Sequence, residues 1–104
     1  MENKTKTATY LGFAIKAGKI KTGANAVATL KRASLVIVCK TASENTVDVA
    51  KSLARKLSCP ILKTQSFILS DFLHKENAKV TAVTDKSLAK AIISQTEKDF
   101  IELN

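Results

Sequence analysis

The 104-residue chain is 45% apolar, enough for one aliphatic core and a single domain spanning residues 1–104. With no Trp, one Tyr and four Phe, it lacks a cluster of aromatics on which successive bases could stack. The net charge of +8 is concentrated early: Lys4, Lys6, Lys16, Lys19, Lys21, Lys31 and Arg32 face only Glu2 within residues 1–35, the footprint of a polyanion partner.

Residues 4–17 place Ala8, Leu11, Ala14 and Ile15 on one stripe, which predicts an amphipathic helix closed by Gly18 as its C′ residue. Ile20–Thr22 reads as a short strand, and Thr22 offers an N-cap for a second helix over 23–32, with Ala26, Val27 and Leu30 inward. Leu35–Cys39 is a continuous apolar run rich in β-branched residues, as in a strand buried on both faces. Ser43 caps a third helix over 44–57, on which Val47, Ala50, Leu53, Ala54 and Leu57 recur at spacings of three and four. A strand follows at Cys59–Lys63, with Pro60 near its start. A brief helix around Phe67–Leu73, a strand Val80–Thr84 and an Asp85-capped helix over 86–96 complete the pattern. Residues 97–104 read as a tail or frayed strand. Helices alternating with short buried strands predict a three-layer α/β/α sandwich.

No apolar run reaches the roughly 18–20 residues needed to cross a bilayer, and no signal-peptide core follows the N-terminus, so a cytoplasmic protein without a membrane partner is expected. Cys39 and Cys59 lie in apolar segments and read as reduced core thiols. Two cysteines and the single His74 cannot supply a tetrahedral zinc site. Cys59 next to Pro60 is a packed residue rather than a nucleophile partnered by His74. Asp48, Asp71, Asp85, Glu97 and Asp99 fall at caps or on polar helix faces without metal-pair spacing. No phosphate-cradling glycine motif occurs. No enzyme activity, cofactor, metal or small-molecule substrate is therefore expected.

Three spaced motifs carry a resemblance. The first is Leu11-Gly12-Phe13-Ala14-Ile15-Lys16-Ala17-Gly18-Lys19 followed by Gly23. The second is Ala42-Ser43-Glu44-Asn45-Thr46. The third is Lys75-Glu76 with Ala82-Val83-Thr84-Asp85-Lys86 and Ala89-Lys90-Ala91. Over residues 8–93 they make the chain resemble the kink-turn-binding ribosomal protein superfamily, in particular its small bacterial ribosomal-protein-like RNA-binding branch. The resemblance implies an α/β/α fold with a mixed four-stranded sheet and a binding surface at the start of the second helix, joined by neighbouring loops. In that superfamily's RNA binders the turn reads Gly, a small residue, Asn, Glu, then Lys three positions after the Glu. Gly23, Ala24 and Asn25 fit, whereas Ala26 stands at the Glu position and Thr29 at the Lys position. Loop 74–79 is polar where strong kink-turn binders place an apolar residue.

The chemistry of the matching positions agrees with that implication. Gly23 lets a phosphate backbone approach and adopts dihedrals closed to Ala. Asn25 carries both donor and acceptor groups for a base edge. Lys19, Lys21, Lys31 and Arg32 would surround the turn with charge. The expectation is a non-catalytic, ribosomal or ribosome-associated protein that binds structured RNA, ribosomal RNA foremost, with altered kink-turn preference. The alternative, motivated by Ala26 and Thr29, is a protein-interaction module that keeps the fold without specific RNA recognition.

Overall fold

The computed structural model describes residues 6–65, 68–69, 73, 78–95 and 100–103. Within them the chain runs α1 (Lys6–Lys16), β1 (Ile20–Thr22), α2 (Ala24–Ala28), β2 (Leu35–Val38), α3 (Glu44–Leu57), β3 (Ile61–Thr64), β4 (Val80–Val83), α4 (Lys86–Ile93) and β5 (Phe100–Glu102).

Helix ends follow local chemistry. Gly18, at φ +68°, lets its own N–H reach Ile15 O (3.1 Å) and the Lys19 N–H reach Ala14 O (2.8 Å), the paired bonds of a Schellman C-terminus. At the start of α3, Ser43 Oγ accepts the Thr46 N–H at 3.1 Å. The same helix ends on Ser58, left-handed at φ 55° and ψ 45°. There the Ser58 and Cys59 N–H groups bond Arg55 O and Ala54 O. The Asp85 carboxylate accepts the Leu88 N–H at 2.8 Å and starts α4.

The strands form one mixed sheet in the order β1-β4-β2-β3-β5. β2 and β3 are parallel, joined through α3, and every other neighbouring pair is antiparallel. All four residues of β2 are buried, so its side chains divide between two cores by alternation. Leu35 and Ile37 pack with Leu11 of α1 and Ala89 and Ile92 of α4. Val36 and Val38 pack with Val27 of α2 and with Ala50, Leu53, Ala54 and Leu57 of α3. Each fully buried aliphatic side chain contributes about 1.5–3 kcal/mol relative to exposure, which makes β2 the strand that ties both cores together.

Several expectations are corrected. The sheet has five strands, not four, because Phe100–Glu102 pairs with β3 and Phe100 is fully buried. A three-residue strand with one buried side chain shows no alternation of its own; its order comes from the non-local pairing. α2 spans five residues rather than ten. Its last turn tightens as the Leu30 N–H bonds Val27 O and the Thr29 hydroxyl donates to Ala26 O at 2.7 Å. Thr22 does not cap it: its hydroxyl lies 3.2 Å from the Thr81 hydroxyl across the sheet, and Gly23 holds the N-cap position without a side-chain bond. Ile15 leaves the apolar stripe and is 40% exposed, because the buried face of α1 runs through Thr7, Leu11 and Ala14. β3 starts at Ile61, after Pro60. Most of the helix expected at Phe67–Leu73 lies outside the described residues, as do His74, Lys75, Glu76 and Asn77 of the following loop.

Candidate nucleic-acid interface

The segment Ala17–Lys31 is continuous in sequence but not in space. β1 runs along the sheet from Lys19 to Gly23, α2 folds back, and β2 runs forward again. At one end the Thr84 N–H bonds Lys19 O (2.9 Å) and the Ser34 N–H bonds Val83 O (2.8 Å). At the other end the Gly23 N–H bonds Val80 O (2.8 Å) and the Cys39 N–H bonds Lys79 O (2.7 Å). Four strand residues separate the two ends, about 13 Å at 3.3 Å per residue. Gly23, Ala24 and Asn25 therefore lie at one end, termed the loop end, while Lys19, Lys31 and Arg32 lie at the opposite, basic end. Lys21 stands between them, opposite Ala82.

At the loop end Gly23 adopts φ 101° and ψ 139°, a region essentially closed to side-chain-bearing residues. A Cβ placed there would meet no atom within 4 Å. The glycine thus answers a demand of backbone conformation, not of space, and it turns the chain from β1 into α2 with Asn25 exposed. The pairing of β4 with β1 and β2 brings further polar residues to the same end. Lys79 Nζ donates to Thr41 Oγ1 at 2.6 Å. The Lys40 backbone N–H donates to Thr64 Oγ1 at 2.8 Å, and its ammonium reaches Gln65 O at 3.4 Å.

Lys40, Thr41 and Lys79 are absent from the site as expected from sequence. They lie apart from Asn25 along the chain, and only the pairing of β4 between β1 and β2 brings them to the same end of the sheet as the turn. The signal available was their position: each flanks a strand end that reaches the same side of the sheet. α2 is too short to generate an appreciable dipole, so positive charge at this end comes from the lysines.

Cys39 is buried beneath the loop end. Burial alone would push its thiol up, but hydrogen bonds from the Thr41 side chain and backbone, the Leu69 N–H and the Thr64 hydroxyl together hold it below the ordinary thiol value. Cys59 lies at the other end, in an open cleft of about 670 Å³ between α3 and β5 that is also lined by Lys51, Arg55, Ile61 and Leu103. Burial pushes the Cys59 thiol up, which keeps it protonated and a poor nucleophile.

Among the described residues no group of three or more His, Cys, Asp or Glu could hold a metal ion, and no helix is long and apolar enough to cross a membrane. No protein-family model matches the chain, and neither does any curated protein.

Proposed function

We propose that the chain is a non-catalytic RNA-binding protein, ribosomal or ribosome-associated, that holds structured, kink-turn-like RNA at its loop end. The observation that carries this reading is that Asn25, Lys40 and Lys79 all lie at the loop end of the sheet, on backbone pinned by the Gly23–Val80 and Cys39–Lys79 bonds. An exposed amide that can read a base edge shares that end with two cations that can neutralise phosphate, on backbone held by the sheet. The two cores on opposite sides of the sheet support the three-layer α/β/α arrangement that the sequence resemblance implies. Two free cysteines fit a reducing, cytoplasmic setting.

The alternative, a protein-interaction module, draws on Ala26 and Thr29. The Thr29 hydroxyl is turned back onto Ala26 O, so neither position offers the acid or the cation that would grip a kink-turn. One experiment separates the two readings: titration of a hairpin RNA carrying an internal loop with tandem sheared G·A pairs. Asn25→Ala should weaken binding by about 1–3 kcal/mol, the worth of one good base contact, with an unchanged melting temperature. Equal binding by both proteins sinks the loop-end site. A protein partner that survives RNase, with no RNA crosslinked, establishes the alternative.

A further inference from the structure

Among the described residues, positive charge gathers away from the loop end. α1, α2 and α3 all finish at the basic end, and α4 starts there. Among the described residues, seven cations on turns and helix termini belong to it: Lys16, Lys19, Lys31, Arg32, Arg55, Lys56 and Lys86. A structural explanation covers three of them. Lys16, Arg55 and Lys56 occupy the last turns of α1 and α3, where cations complement helix C-termini. Lys56 Nζ also donates to Ala28 O at 3.0 Å, tying α3 to the end of α2.

Helix chemistry leaves the other four unexplained. Lys86 opens α4, whose first turn has no acid, and a cation is disfavoured at that position. Lys31 and Arg32 are adjacent, and together with Lys19 they belong to a stretch, residues 3–43, without a single Asp or Glu. All four side chains are exposed. Of the described acids near this end, Asp85 is engaged as the cap of α4, and Glu102 sits on β5, at the sheet edge opposite β1. Like charges so placed repel and favour unfolding unless something neutralises them.

We infer that Lys19, Lys31, Arg32 and Lys86 form a second RNA-contact surface, which takes the phosphate backbone of a segment separate from the one held at the loop end. The inference rests on the RNA-binding reading above. The four cations come from three separate stretches of chain; the large apolar neighbours Ile20 and Leu30 pack against the cores, and the other residues nearby include the small Ala17, Gly18, Ala33 and Ser34. A close approach by a hydrated phosphate chain suits such a surface; an apolar-centred protein contact does not.

The test compares the full chain with the Lys19→Ala/Lys31→Ala/Arg32→Ala/Lys86→Ala variant. The probe is the same G·A hairpin with arms of at least a full helical turn, titrated between 50 and 300 mM KCl. The log–log salt slope should shrink by about one for each phosphate that the variant no longer neutralises, about three to four in all. Affinity at 100 mM KCl should drop more than tenfold, and the melting temperature should hold or rise. Asn25→Ala should reduce affinity at an unaltered slope. A quadruple variant that keeps the wild-type slope overturns the inference, and so does one that melts markedly earlier, since the cations would then be structural. If polyglutamate competes as well as RNA of equal charge, the surface docks acidic protein instead. If the wild-type chain binds no RNA at any salt, the RNA-binding reading itself fails, an outcome distinct from all of these.

Discussion

The loop end and the basic end of the sheet are built by different means. At the loop end, side chains and backbone are both anchored: the Lys79 ammonium on Thr41 Oγ1 and the Lys40 ammonium on Gln65 O, the Lys40 N–H on Thr64 Oγ1 and the Gly23 N–H on Val80 O. At the basic end, Lys19, Lys31, Arg32 and Lys86 stand exposed on turns and at a helix start. Fixed geometry favours selection among RNA shapes, whereas exposed surface charge favours salt-sensitive affinity with little selection. One segment of sequence thus feeds two surfaces with separable roles.

Substitutions that touch one end at a time can break this contrast. The largest expected effect is at Gly23. Gly23→Ala should cost about 1–3 kcal/mol of stability through backbone strain alone, because no neighbour would crowd the new methyl. Gly23→Asn should cost as much, since φ 101° and ψ 139° lie outside the left-handed helical region that Asn tolerates. Urea denaturation measures both, and a cost for Ala below half a kcal/mol would show that the turn relaxes freely. RNA binding should lose its shape preference in these variants while its salt slope persists.

A smaller effect of opposite sign is expected at the basic end. Ser58 carries the left-handed penalty that glycine avoids, so Ser58→Gly should stabilise the fold by about 1 kcal/mol in the same assay. RNA binding should stay unchanged, because Ser58 is none of the four unexplained cations.

The smallest effect lies in the two cysteines, whose influence runs in opposite directions. The Cys39 thiol is held low in the fold, so the native state releases this proton first and stability gains as pH rises from the folded value toward the ordinary thiol value of about 8.5. The Cys59 thiol is raised, so its contribution is intact below the ordinary value and is lost as pH climbs through the folded one. Between pH 7 and 10, Cys59→Ala should therefore flatten an alkaline decline in melting temperature, and Cys39→Ala should steepen it. A common direction for both variants would contradict the opposed environments.

Elements with strong local signals were legible in the chain itself. Ser43 as a cap and the three-and-four spacing from Val47 to Leu57 define α3, and the observed helix keeps those limits. The unbroken apolar run of β2 marked a strand covered on both faces, and both faces are covered. What stayed illegible has a distant source in one element and a local one in another. β5 exists through β3, and α2 ends early because the Thr29 hydroxyl finds Ala26 O, where apolar spacing alone suggested a helix continuing to residue 32. The candidate site divides in the same way. Gly23 and Asn25 were readable as a turn, but chain proximity made Lys19, Lys31 and Arg32 look like its surround, whereas the β–α–β path carries them about 13 Å away. Lys40 and Lys79 reached the turn's end of the sheet only through strand order.

That strand order also bears on how the molecule assembles. β2 and β3 lie close in the chain: the Lys40 N–H and Thr64 Oγ1 that meet at their ends are 24 residues apart. β1 must wait for β4, whose Thr81 hydroxyl bonds Lys21 O across 60 residues. Closing the longer loop is entropically costlier and slower, so β2–α3–β3 should form the early nucleus and β1 should dock late. The Gly23 turn would then be among the last parts completed, and a folding intermediate would carry its positive charge before it had a loop end with which to discriminate.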